Sequence, residues 1–325
     1  MIARRGLFGL AAAALPVAAR AQGAAWTPGR AISIVVPYPA GGPTDALARL
    51  VAAEMARDLG TAVVVENVAG GGGAIASVRV ARGPADGTQL ILASNQTHAT
   101  NISLLPNGGG YDPVRDFRPV AGMADLQHLL VVRPEIAATD VAALLAMARA
   151  EPGRLTCAST GQGSASHLTL ELFRAKTGVN MVHVPYRGTA PMMNDLMGGH
   201  VDLSFATTPS VLGQIQAGRL RALAVASPNR SPHLPQLPTM AEAGVQGVEA
   251  DAWFGLFAPA GVPEPALARL RALALAAIGR ESVREPVTRS GMTVNVRDAD
   301  AMGRFLEEDI RRWAEVIRVA DVKPE

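Results

Sequence analysis

Short β-branched runs alternate with stretches of helical period along most of the chain. The first, Ile32-Ser33-Ile34-Val35-Val36, meets a Pro/Gly turn and then a helical pattern starting near Thr44. Residues 63–66 pass through four glycines into a helix near Ala74, and residues 90–93 form a third run ending at Ser94. Strands and helices that alternate in this way predict α/β units with parallel sheets, here three units in one doubly wound domain. A second set predicts another domain of like build, with strands at residues 129–132, 155–158, 182–185, 201–205 and 220–226 and helices at 140–150 and 164–176. After a Pro-rich polar segment, residues 229–238, residues 253–258 read as one more buried strand before two terminal helices. In the last helix Met302, Phe305, Leu306, Ile310, Trp313, Val316 and Ile317 recur at steps of three and four, an apolar stripe that assigns Trp313 to the core. The expected plan is two doubly wound α/β domains, residues 22–124 with 250–325 and residues 125–249, joined by two crossings that can act as a hinge.

The N-terminus changes what belongs to the mature chain. Arg4 and Arg5 precede an uncharged apolar stretch, residues 6–19, that closes in Ala19-Arg20-Ala21, the layout of a signal peptide cleaved after Ala21. The stretch is shorter than the roughly 20 residues that span a bilayer, and Pro16 interrupts it. The arginine pair admits twin-arginine as well as Sec export. Losing Arg4, Arg5 and Arg20 leaves 27 basic against 28 acidic residues, so the high isoelectric point of the precursor does not carry over. Since no Lys/Arg cluster interleaves with aromatics, a nucleic-acid partner is not expected. Cys157 is the single cysteine, which excludes an internal disulfide and leaves stability to the apolar core.

Three strand-to-helix turns are rich in small residues: 37–45, 69–74 and 159–164. Glycine lets a ligand approach the backbone, and the first N–H groups of a helix attract an anion. Such turns lie at the carboxyl ends of parallel strands, where open α/β folds bind ligands, so two of them in different domains favour a shared cleft. Enzymatic readings fail on the same residues. Gly71-x-Gly73-x-x-Ala76 formally matches a dinucleotide fingerprint, yet the next strand ends in Ser94 where an acidic residue should meet the ribose. Ser164 lacks the nucleophile elbow of serine hydrolases, because Gln162 and Ser166 stand in the flanking glycine positions. The six histidines form no i, i+4 metal pair, so neither metal nor cofactor is expected. His128, His183 and His200 read as scaffold or surface residues.

A series of ordered motifs then carries a family resemblance. They include Val36-Pro37-Tyr38-Pro39-Ala40-Gly41-Gly42 with Asp45, Glu66-Asn67 before the glycines, Ala85-Asp86-Gly87-Thr88, Tyr111-Asp112-Pro113, His183-Val184-Pro185-Tyr186-Arg187-Gly188 and Ala258-Pro259-Ala260-Gly261. From Trp26 to Ile317 the chain resembles the extracytoplasmic solute receptors of tripartite tricarboxylate transporters, the Bug receptors. The resemblance implies a periplasmic-binding-protein-like fold that closes on an interdomain cleft. It implies a periplasmic monomer, not an enzyme, that captures a small organic carboxylate for the membrane subunits of a transporter; a metabolite sensor acting through a signalling partner is the alternative. Carried onto this chain, the ligand-binding positions are Pro39, Ala40, Gly41 and Asp45, with Ser94 and Thr97, in the first domain. The second domain offers Gly161, Gly163, Ser164, Ala206 and Thr207. None of these is Arg or Lys, so anion capture would depend on oriented dipoles and charge-assisted hydrogen bonds. Gln162 departs from the commoner family residue and is a candidate reader of ligand identity. Trp253 and Phe254 are open between cleft wall and packing.

Overall fold

The computed structural model describes residues 26–322. The expected signal peptide and its cleavage after Ala21 lie outside them. In chain order the first elements are β1 (Ile32–Val36), α1 (Pro43–Leu59), β2 (Val63–Asn67), α2 (Ala74–Ala81), β3 (Gln89–Ser94), α3 (Asn101–Leu104) and β4 (Phe117–Leu126). There follow β5 (His128–Val132), α4 (Val141–Ala150), β6 (Thr156–Ser159), α5 (Ala165–Thr177), β7 (Val182–Pro185), α6 (Thr189–Met197), β8 (Leu203–Thr207), α7 (Thr208–Gln216) and β9 (Arg221–Val225). The chain ends with β10 (Ala252–Pro259), α8 (Glu264–Gly279), α9 (Glu281–Arg289), β11 (Thr293–Arg297) and α10 (Ala299–Val319).

Two sheets result, ordered β11-β4-β10-β3-β1-β2 and β7-β6-β8-β5-β9. Both are mixed. β1 pairs in parallel with β2 and β3, but β10 runs antiparallel between β3 and β4, and β5 runs antiparallel between β8 and β9. An antiparallel strand at each centre follows from the chain crossing between lobes: it leaves the first sheet at Leu126 and enters the second at His128, with Gln127 alone between them. The return runs from β9 to β10.

Two strands escape the sequence pattern. β4 carries Pro119 and Gly122, and its ladder with β10 shifts register twice, so no period of two survives. The short edge strand β11 lies between two helices, which makes three terminal helices where two are expected. Among the described residues no helix is long and apolar enough to cross a membrane.

Inner strands such as β1 and β3 are buried along nearly their whole length because helices cover both faces of the sheet, which explains their continuous apolar runs. The stripe of α10 buries Met302, Leu306, Trp313 and Ile317 against the first sheet. Buried Asp309 interrupts that stripe and accepts a 2.7 Å hydrogen bond from Trp253 Nε1. Val316 touches the cores of both lobes. At the other end of the first lobe, Arg280 ties α9 to α1 through Glu54 and Asp58.

Candidate functional site

The two lobes are apposed, and a cavity of about 100 Å³ lies between them. Four helix N-termini converge on it, those of α1, α5, α6 and α7, contributing Thr44, Ala165, Ala190 and Ser210 among others to its wall. Three of these starts, Gly42, Gly188 and Thr207, have no side-chain cap, so first-turn N–H groups are left to face the cavity. Pro43 starts α1, where its lack of an N–H costs nothing. Among the described residues no Asp or Glu lines the cavity, and Arg187 stands exposed at its rim with no ion-pair partner among them. Aligned N-termini beside an arginine make the enclosed potential positive and suit an anion.

Of the positions carried over by resemblance, Pro39, Ala40, Ser94, Ser164, Ala206 and Thr207 line this cavity. Gly161 and Gly163 line a wider groove of about 730 Å³ that shares Tyr38, Pro39, Gln96, Thr160, Arg187 and Gly188 with it. Asp45 and Thr97 sit behind the wall and shape it, while Gly41 is exposed beside it. Gly41 turns at φ +88°, a left-handed value that a Cβ would strain, and its N–H donates to Asp45 Oδ2 at 3.0 Å. Asp45 is neutralised where it stands. Burial pushes its carboxyl up, but Arg49, the Gly41 N–H and Asn67 outweigh that and hold it below the usual carboxylate range. Thr97 Oγ1 accepts from the Ser94 N–H and donates to the Ser94 carbonyl, both at 3.1 Å, which fixes the turn after β3.

The hydroxyls on the wall are largely spent on one another. Ser164 Oγ donates to the Gly161 carbonyl at 2.6 Å, lies 2.9 Å from Ser166 Oγ and accepts from the His167 N–H at 3.3 Å as the cap of α5. Its proton therefore holds the loop, and the free donors of this turn are backbone N–H groups. Thr207 Oγ1 and Ser210 Oγ pair at 2.7 Å. Tyr38 shares a 2.6 Å bond with Ser94 and reaches Gln96, whose amide donates across the cleft to the Gln162 carbonyl at 3.3 Å. Burial holds the Tyr38 phenol well above its ordinary range, so it stays protonated.

A second seam lies at Gly163. Thr100 Oγ1 donates to its carbonyl at 3.1 Å, its N–H donates to His167 Nδ1 at 3.1 Å, and a Cβ there would stand 3.0 Å from Leu104. Gly163 is thus where the lobes meet. Gln162 lines the groove rather than the inner cavity. Beneath this loop His167 stacks on His183 at 4.1 Å, and His183 bonds Ser159 Oγ at 2.6 Å. Burial pushes both imidazoles down, His167 to about 3 with help from its neighbour His183 and from Arg174, and His183 to about 4.

Several wall residues lie outside the sequence reading. Arg187, Thr189 and Ala190 come from the turn between β7 and α6, which escapes because its one glycine, Gly188, does not make it glycine-rich. His128, read as scaffold, enters the wall with its Nδ1 on the Ala250 carbonyl at 2.8 Å. Phe254 lines the cavity, while Trp253, pointing from the opposite face of β10, packs against Phe305 and Phe257. Among the described residues no cluster of three or more His, Cys, Asp or Glu could hold a metal ion.

With this geometry in view, comparison with known proteins identifies the class. The family described as "Tripartite tricarboxylate transporter family receptor" (TctC) matches residues 47–322. Protein BugT of Bordetella pertussis is 37% identical over 297 residues, which are 91% of this chain and 91% of that protein. Among solved structures, R. palustris Rpa4515 with adipate is 39% identical with a TM-score of 0.87, covering 92% of this chain and 99% of that one. MatC from Rhodopseudomonas palustris with bound malate is 35% identical with a TM-score of 0.84, covering 89% and 99%. The chain belongs to the tripartite tricarboxylate transporter receptor family and is a periplasmic solute-binding receptor, not an enzyme.

Proposed function

We propose that this receptor closes its two lobes around a small organic carboxylate and delivers it to the membrane subunits of a tripartite tricarboxylate-type transporter. The observation that carries the reading is the convergence of four helix N-termini on an interlobe cavity whose wall holds no carboxylate. An anion entering there exchanges water for fixed N–H donors that need no reorientation. Similarity to receptors solved with adipate and with malate supports the same ligand class. Pro39, Ala40, Ser94, Ser164, Ala206 and Thr207 form the contact wall; Gly41, Asp45 and Thr97 hold the first-lobe turns, and Gly161 and Gly163 close the seam. The moving bodies are residues 22–124 with 250–325 and residues 125–249, and the mature chain begins at Gln22.

A thermal-shift screen across mono- and dicarboxylates tests the ligand class, because a ligand that binds only the folded state raises its melting temperature. A carboxylate that raises it and also contracts the small-angle scattering envelope is the expected result. Uncharged solutes that shift the melting temperature where no carboxylate does would overturn the proposal.

A further inference from the structure

The cavity is not electrically uniform. Its rim carries Arg187, whereas the wall at the ends of β3 and β4 carries two buried, uncharged polar side chains, Asn95 and His128, each 2% exposed. Asn95 follows Ser94, which pairs with Phe254 on one side of β10. His128 follows β4 on the other side, two residues beyond Leu126, which pairs with Ala252. By this register they are separated by two strand spacings across the sheet and about three residues along it, and both line the same small cavity together with Phe254.

Each has unused hydrogen-bonding capacity of opposite kind. Asn95 Nδ2 is buried and has no partner among the described residues. A buried donor left unpaired is costly enough that native structures seldom keep one without a use. His128 is fixed by its Nδ1, which donates to the Ala250 carbonyl, so Nε2 presents a lone pair. Burial pushes this imidazole down to about 4, so the ring stays neutral near pH 7. A carboxylate oxygen placed against Nε2 would meet lone pair with lone pair unless the ring took up a proton, which its burial opposes.

We infer that the inner end of the cavity selects an uncharged group that both donates and accepts, a hydroxyl or a primary amide, so that the solute is a carboxylate with such a group at its far end rather than a dicarboxylate. Resting on the reading of the cavity as a carboxylate site, the inference assigns His128 as acceptor and Asn95 as donor for that group. Recognition by a buried acceptor and donor discriminates strongly, because an analogue without the group leaves both unpaired.

Isothermal titration with matched pairs tests this: succinate against succinamate, adipate against adipamate, and butyrate against 4-hydroxybutyrate. The amide or hydroxyl member of the best-binding pair should bind at least tenfold more tightly than its partner. His128→Leu should erase that preference, and Asn95→Leu, read in the same way, keeps the test usable should His128→Leu fail to fold. If succinate and adipate bind more tightly than their amides and butyrate at least as tightly as 4-hydroxybutyrate, or if both variants keep the preference, the inference is overturned while the carboxylate site stands. If no member of any pair binds, the carboxylate reading falls and the inference with it.

Discussion

Lowering the pH from about 7.5 to about 5 should cost the folded protein on the order of 5 kcal/mol, mainly through His98, His128 and His167. All three are nearly inaccessible. His98 lies 4.6 Å from both Phe117 and Phe257, and its Nε2 has no partner among the described residues. Burial pushes the three imidazoles down to about 3, about 4 and about 3, against about 6.5 for an exposed ring. With the folded value below the unfolded one, their contribution is complete above the unfolded pKa and is lost as the pH falls from about 6.5 towards 4. At pH 5 each unfolded ring has bound its proton and each folded ring has not, a loss of roughly 2 kcal/mol per ring. Asp251 works in the other direction. Burial pushes its carboxyl up to about 6 against the pull of Ser227 and Arg312, so the stability tied to it is present at low pH and lost as the pH rises through about 6. Its gain at pH 5 is on the order of 1 kcal/mol, too little to offset three rings.

Urea denaturation followed by circular dichroism at pH 7.5, 6 and 5, at one ionic strength, measures the effect directly. Unfolding at pH 5 should take up about two to three protons net, three by these rings and part of a fourth by the less deeply buried His183, less one released by Asp251. A loss of about 5 kcal/mol is a third or more of the stability of an ordinary domain, so the midpoint should fall steeply. His98→Leu should flatten the dependence by about 1.4 kcal/mol per pH unit, whatever it does to stability at neutral pH. A midpoint that stays constant or rises between pH 7.5 and 5 would refute the reasoning, since it would mean that the rings protonate without leaving the folded state.

Ser164→Ala should lower apo stability by about 1–2 kcal/mol, from the lost cap and the lost tether to Gly161, and Ser164→Thr should restore most of it; an apo melting temperature unchanged by the alanine would show that the hydroxyl holds nothing. Arg187→Ala should leave the apo melting temperature in place and weaken carboxylate binding several-fold in low salt, with the difference shrinking at about 0.5 M salt because the residue is exposed; a salt-independent loss would place it inside the site instead. Asp309→Ala should cost about 1–3 kcal/mol by orphaning the buried Trp253 indole N–H, and Asp309→Asn, whose amide oxygen still accepts, should cost less; equal losses in chemical denaturation would assign the effect to packing. Intact-mass measurement of the exported protein should give a chain that begins at Gln22, and a mass that includes Met1 would remove the signal-peptide reading.

How much of this was legible in the sequence depends on where the causes lie. The inner strands and α10 announce themselves because their burial is one-dimensional: a run covered on both faces, or a stripe at helical period, leaves its mark in neighbouring residues. β4 does not, since Pro119 and Gly122 sit where β4 itself bulges against β10, and that register is set by a partner more than 130 residues away. The same division runs through the site. Turns rich in glycine point to the cleft, and from them come Pro39, Ala40 and Ser164 in the wall. Yet the glycine signal reports backbone shape rather than ligand contact, which is why Gly41 and Gly163 fall beside the cavity, one exposed at its edge and one in the seam between lobes. Residues that set the chemistry of the pocket carry no local mark. His128 belongs to a buried strand, and only the Ala250 carbonyl, 122 positions away, fixes which of its nitrogens faces inward. Asn95 has no sequence signature either, and its importance rests on what it fails to bond. A family resemblance transmits the shared part of such a site, the helix starts and turns that greet a carboxylate. The buried end that distinguishes one solute from another is assembled from long-range contacts, so it has to be read from the fold.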